Sequence, residues 1–216
     1  MKPFDLLHST MKPLVIMLRL AIATALILPV SIIFADPIVR VLLPLYRALF
    51  ELIGDDYNII YFGLVAQGVE NVIRVDVSLA HTLVVGGHMV WPDPRGIANV
   101  TTSAVQALQP ATIALIAVLG WPCPSLQRWI LRLLPLLFFL LLITMVDVPF
   151  LLAGEMLGLI IDNVSPGTTS ALVSWSQFLA GGGRLILGLF AALASFAVEN
   201  VFAQWGRVVS PNDQLH

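Results

Sequence analysis

The run RWILRLLPLLFFLLLITMVDVPFLLAG, Arg128 to Gly154, holds Asp147 as the only charge deep within its apolar part, Ile130 to Ala153. A hydrocarbon core about 30 Å thick needs roughly 20 mainly apolar residues in a helix, and this stretch supplies them. Three further windows have the same character: Leu14 to Ala35, about Ser103 to Trp121, and about Leu185 to Phe202. The chain is 58% hydrophobic and 11% charged over 216 residues, with a mean hydropathy of +0.93, whereas a soluble domain is about 25% charged. Hydropathy therefore divides the chain by membrane crossings. The expected fold class is an all-α membrane protein with about four transmembrane helices.

The windows differ in quality. Pro29 removes a backbone donor from the first and predicts a kink. Gln106, Gln109 and Pro110 weaken the start of the second. The fourth carries Gly188, Ala191, Ala192, Ala194, Ser195 and Ala197, small residues that let helices approach closely in lipid, which places it inside a bundle. Lys2, Lys12 and Arg19 precede the first window in the manner of a secretory signal. The cleavage point after Ala35 has Ile33 where a small residue is needed, so the segment reads as a retained anchor.

Basic residues give the orientation. Lys2, Lys12, Arg19, Arg128, Arg132 and Arg207 share one side, and the loop from Gly154 to Gly183 has no Lys or Arg. Both termini are expected in the cytoplasm. Trp121, Trp129 and Trp205 at one interface, with Trp91 and Trp175 at the other, fit aromatic belts. The division is then 1–35, cytoplasmic N-terminus and first helix; 36–100, an extracytoplasmic insert; and 101–216, helices two to four with a short cytoplasmic C-terminus. The last residues, SPNDQLH, read as a short disordered end.

In the insert, Ile38, Val41, Leu42, Leu45, Leu49 and Leu52 recur at helical spacing with Arg40, Arg47 and Glu51 elsewhere on the wheel, which predicts an amphipathic helix in the membrane interface over Pro37–Ile53. From Tyr57 the pattern turns to period two. YNIIYFGLV is followed by a break at Gln67-Gly68, then Ile73, Val75, Val77 and Leu79 alternate with Arg74, Asp76, Ser78 and Ala80. A small hairpin or three-stranded sheet is expected, ended by turns at Gly86-Gly87 and Pro92-Asp93-Pro94. The strand Ile73, Val75, Val77, Leu79 is the candidate partner-binding element, because a sheet edge accepts another chain's strand.

A net charge of −2 offers no basic face for nucleic acid. The single cysteine, Cys123, forms no intrachain disulfide and no multi-cysteine metal site. It sits in Trp-Pro-Cys-Pro on the cytoplasmic side, away from the histidines of the insert, and reads as a turn residue. His81 and His88, near Asp76 and Asp93, have metal-binding side chains, but a seven-residue separation along a strand reverses their facing. No metal and no cofactor is expected. Gly181-Gly182-Gly183 lacks the lysine and preceding strand of a phosphate loop and reads as a flexible lead into helix four. Asn99-Val100-Thr101 and Asn163-Val164-Ser165 match the glycosylation triplet, both close to the bilayer.

Asp147 is the most informative single residue, since an intramembrane carboxylate is costly unless paired or functional. Arg184, at the corresponding end of helix four, is its expected partner. The pair reads as a device that fixes helix packing; a proton relay would need further groups in depth, and Glu199 is the second candidate.

From Asn99 to Phe150 the chain runs NVTTSAVQALQPATIALIAVLGWP, CPSLQRWILR, LLPLLFFLLLITMVDVPF. This resembles the core of the exosortase and archaeosortase family of membrane transpeptidases: a strand-like segment, an apolar helix, a short basic cytoplasmic turn and a second apolar helix. The resemblance implies a cysteine, an arginine and a later histidine as the catalytic set. Those positions hold Thr102 or Ser103, then Met145-Val146-Asp147-Val148, then no histidine before His216. It therefore implies one of the non-catalytic membrane proteins that accompany such enzymes, in a bacterial inner membrane. The expected function is a non-catalytic accessory or scaffold subunit, with the lipid bilayer and other membrane subunits, or further copies of the chain, as partners. The alternatives are a small oligomeric transporter or channel, and a divergent transpeptidase using Ser103 or a metal enzyme using His81 and His88.

Overall fold

The computed structural model describes residues 3–93, 95–123 and 125–209, and the side chains of all of these except 3–12 and 203–209. Lys2 and the terminal SPNDQLH lie outside the described residues, as do the side chains of Lys12, Trp205 and Arg207. Three helical stretches are long and apolar enough to cross a membrane: Pro13–Ile53, Leu126–Val164 and Ala171–Phe202. A small β-structure accompanies them.

Helix α1 runs from Pro3 to Ile53 without a break. Strands β1 (Tyr57–Gln67), β2 (Glu70–Leu79), β3 (Leu83–Val85), β4 (His88–Val90) and β5 (Ala98–Ser103) follow. Then come α2 (Ala104–Ala107), α3 (Gln109–Gly120), α4 (Leu126–Val164), α5 (Ala171–Phe178) and α6 (Arg184–Val209). A π-type turn, Leu179–Gly183, joins the last two helices. Gly182 in it has φ 109°, a conformation that side chains with a Cβ avoid, so the glycine run marks a fixed change of direction.

The second apolar window departs from expectation. It yields the short α2 and the 12-residue α3, about 18 Å long at 1.5 Å per residue and well under a bilayer's hydrocarbon thickness. Its first residue, Ser103, ends β5. Strand pairing wins there because Val72–Val77 of β2 offers a complete antiparallel register to Ala98–Ser103.

The chain folds as two compact units. The helical unit comprises the described residues within Met1–Ser31, Pro110–Leu142 and Ile186–His216. Its packing depends on small residues. A Cβ on Gly120 would come within 2.5 Å of Leu20, and one on Gly188 within 2.6 Å of the Pro110 carbonyl oxygen, so both glycines are sites of close helix approach. Leu136, Val118, Ala114 and Ala191 are buried, while Leu14, Met17, Leu134, Phe138, Phe190 and Leu193 stand exposed. A surface of that kind suits lipid.

The sheet unit comprises Ile32–Gln109 and Ile143–Leu185. Its main sheet is antiparallel in the order β1-β2-β5, and β3 and β4 form a separate hairpin. The β1–β2 turn passes through Gly68 at φ 65°. Ile73, Val75 and Val77 of β2 pack with Val39, Tyr46 and Phe50 of α1 and with Val148, Leu152 and Met156 of α4 in one core. The segment Pro37–Ile53 is therefore helical but continuous with the first helix, and it buries Val39, Tyr46 and Phe50, with Ala35 just before it. Ile38, Val41 and Leu52 of the expected interfacial face are exposed, so the residues that join this core lie on a different side of the helix. The segment is apolar on most of its faces, so spacing alone does not select the one that packs.

Candidate functional site

Among the described residues the buried charged side chains are Arg132, Asp147, Arg184 and Glu199. They form two ion pairs, one in each unit.

In the sheet unit, Arg184 Nε donates to Asp147 Oδ1 at 2.9 Å, which joins the expected pair. α4 carries the carboxylate and the first residue of α6 carries the cation, delivered there by the turn at Gly182. The pair is incompletely satisfied: Asp147 Oδ2 and Arg184 Nη2 are buried without hydrogen-bond partners among the described residues. Tyr46 Oη is buried in the same condition. Glu155, half-buried, lies two turns further along α4.

In the helical unit, Arg132 Nε donates to Glu199 Oε2 at 2.7 Å, and Arg132 Nη1 donates to the Trp121 carbonyl at 3.3 Å. The guanidinium lies 4.8 Å from the Phe196 ring centroid and 5.8 Å from that of Trp129, within cation–π range. Ser195 donates its hydroxyl to the Arg132 backbone carbonyl at 2.5 Å. Sequence reasoning missed this pair. It counted Arg132 as an interfacial charge and Glu199 as a second relay group. The available signal was that each sits on an otherwise apolar helical stretch, where a lone charge requires a partner.

The strand Ile73, Val75, Val77, Leu79 has a different place from the one expected. β2 is the central strand, hydrogen-bonded to β1 on one side and β5 on the other. Ile73, Val75 and Val77 are fully buried. In this sheet an incoming strand could pair with the outer edge of β1 or β5, not with β2. Arg74 and Asp76, on the opposite face of β2, form an ion pair at 2.7 Å, and the bond to Asp76 raises the Arg74 pKa above its usual value.

Beside β5 lies a cleft of about 410 Å³. Asn99, Val100 and Thr101 of β5 form one wall, α4 contributes Gly154, Glu155, Gly158 and Asp162, and α5 contributes Ser176 and Gln177. Two glycines shape it. A Cβ on Gly154 would meet the Leu172 carbonyl oxygen at 2.5 Å, whereas one on Gly158 would have only Val173 near it, at 3.8 Å. Gly154 thus lets α5 lie close against α4, and Gly158 leaves the floor open. A second, more apolar cavity of about 270 Å³ is bounded by Tyr57, Leu79, Trp91 and Ile97. Burial, with the Asp56 carboxylate adding to it, pushes the Tyr57 pKa up to about 12.

The remaining candidates are dispersed. His81 and His88 are exposed at the β3–β4 hairpin, and no group of three or more His, Cys, Asp and Glu with metal-binding placement occurs among the described residues. Ser103 donates to Glu70 Oε2 at 3.1 Å, a carboxylate rather than the imidazole that activates such hydroxyls in Ser–His sites. Cys123 donates to the Ser125 carbonyl at 3.5 Å, as befits a turn. Comparison with protein-family models, with curated proteins and with solved structures gives no match.

Proposed function

We propose that the chain is a non-catalytic integral membrane subunit, an accessory or scaffold protein that anchors in the bilayer through its helical unit and presents its sheet unit to a larger membrane complex. The observation that carries this reading is the pairing of the buried charges. Each of Arg132, Asp147, Arg184 and Glu199 is held by one opposite charge within its own unit, as fits helix packing better than a chain of groups handing on a proton or ion. The sheet adds support, since β1 and β5 each leave one edge without a neighbouring strand among the described residues and such edges are templates for another chain. The layout resemblance of Asn99–Phe150 points to exosortase-type protein sorting as the system served, with both termini cytoplasmic.

The test is purification of the tagged protein from its native membrane in mild detergent, with mass spectrometry and sizing of the product. A stoichiometric partner is the expected result. A lone monomer or homo-oligomer would overturn the subunit reading and move the weight to a small oligomeric transporter. Asp147→Asn would then separate the roles: a relay loses flux, whereas a packing residue mainly loses stability.

A further inference from the structure

The cleft beside β5 has the parts of a peptide-docking groove. One wall is an edge strand, and alternate backbone amides and carbonyls of such a strand have no neighbour to bond. The facing wall is a helix. Asn99 and Thr101 are exposed on β5 while Val100 and Thr102 are buried, so the strand is anchored through one set of side chains and turns the other outward. Glu155 and Asp162 lie seven residues apart on α4, and a seven-residue step keeps both on the same helix face. Both carboxylates line the cleft, no Lys or Arg lines it with them, and neither is held in an ion pair among the described residues. Gly158, between them in sequence, leaves the floor open, with only Val173 near a Cβ placed there, at 3.8 Å. At about 410 Å³ the cleft falls within the range of roughly 300–1,000 Å³ that ligand sites occupy.

We propose that this cleft binds an extended, basic segment of a partner protein, which adds as a strand to the free edge of β5 and sets Lys or Arg side chains against Glu155 and Asp162. The proposal rests on the subunit reading for the identity of its occupant, and it names the chemistry of the contact. Main-chain hydrogen bonds to β5 supply affinity that is indifferent to sequence, and the two carboxylates select charge. An acidic segment in the same place meets like charges and is rejected.

The experiment uses the full-length protein in detergent micelles and a fluorescein-labelled peptide of about eight residues alternating lysine with valine and threonine. Three comparison peptides are run with it: glutamate in place of lysine, a shuffled order of the same residues, and the basic peptide N-methylated at alternate residues, which keeps the charge and removes strand pairing. The basic peptide is expected to bind, the acidic one at least about tenfold more weakly, the scale of two partly exposed charge pairs, and the N-methylated one also at least about tenfold more weakly, through the loss of several strand hydrogen bonds. Glu155→Gln with Asp162→Asn should weaken the basic peptide by a similar factor and flatten its salt dependence. Gly158→Phe, which fills the floor, should abolish binding, while Gly158→Ala should retain it.

Undiminished binding of the N-methylated peptide would show attraction by charge alone and overturn strand addition. Equal binding of the basic and acidic peptides, or no saturable binding of the basic one below about 1 mM, would overturn the proposal outright. A partner that co-purifies while the peptide fails would sink the cleft and leave the subunit reading standing. Peptide binding without any co-purifying partner would do the reverse.

Discussion

The helical unit and the sheet unit each bury one arginine–carboxylate pair, and the two pairs are completed to different degrees. Arg132 in the helical unit has Glu199, the Trp121 carbonyl and the Phe196 ring around its guanidinium. Arg184 in the sheet unit donates to Asp147, and among the described residues an oxygen and a nitrogen of the pair are buried without hydrogen-bond partners. Taking two charges out of water costs several kcal/mol per ion, recovered only when the remaining donors and acceptors are also satisfied. The first pair comes closer to that condition. The second leaves polar capacity unused, as does the nearby buried Tyr46 hydroxyl, among the described residues. A buried ion pair is therefore not one kind of object, and its worth is set by what surrounds the two charges.

The largest effects should come from taking one charge of each pair. Arg132→Ala is expected to destabilise by about 3–5 kcal/mol, because it strands Glu199 and also deprives the Trp121 carbonyl of a donor. Arg184→Ala should fall at the lower end of that range, since it removes one hydrogen bond and no ring contact. Unfolding by SDS titration of the purified proteins gives the comparison, and Arg184→Ala costing more than Arg132→Ala would reverse the ranking. Replacing whole pairs sharpens it. Asp147→Leu with Arg184→Met should be neutral or stabilising by about 1–4 kcal/mol. Glu199→Leu with Arg132→Met should gain less or nothing, because it also removes the hydrogen bond to the Trp121 carbonyl and the contact with the Phe196 ring.

A smaller contrast lies within α4. Gly154→Ala should destabilise by about 1–3 kcal/mol, because its methyl must displace the Leu172 carbonyl and Ser176 in a packed contact. Gly158→Ala meets nothing closer than 3.8 Å and should stabilise by up to about 1 kcal/mol, the helix-propensity difference between the two residues. Thermal unfolding of the two single variants reads both signs. Equal effects would mean that the cleft floor is filled in solution.

The same contrasts account for what was legible in the sequence. Asp147 announced itself as the lone carboxylate deep in an apolar run, and Arg184 stood at the matching end of the next helical segment, so their pairing followed from the cost of leaving either alone. Arg132 and Glu199 sit nearer the ends of their apolar stretches, where a charge reads as interfacial, and nothing local distinguishes a buried arginine from one that reaches water. β2 was legible because Ile73, Val75 and Val77 alternate with polar residues at period two, which suits a strand with one buried face and leaves a helix with no apolar stripe. Its central position was not, since that depends on β5, whose NVTTS reads as a polar lead into an apolar window. The packed face of Pro37–Ile53 was hidden for the opposite reason: Arg40, Arg47 and Glu51 mark one exposed stripe, but apolar residues occupy the rest of the wheel and do not say which side of it packs.

The smallest predicted effect tests whether the sheet unit's β-structure responds to pH as its burial implies. Tyr57, at the start of β1, ionises at about 12 in the folded chain against an ordinary value of 10.0, because burial, and then the neighbouring Asp56 carboxylate, disfavour the phenolate. The folded state therefore holds the Tyr57 proton over a range in which the unfolded state has lost it. By linkage, stability must fall as pH rises from the unfolded value through the folded one. Chemical unfolding followed between about pH 10 and pH 12 should show a decline that is shallower in Tyr57→Phe, which has no phenol to ionise. Partial exposure keeps the difference small. A decline of the same steepness in both proteins would mean that Tyr57 is solvated in the folded state, and that the cavity it lines beside Trp91 and Ile97 is open to water.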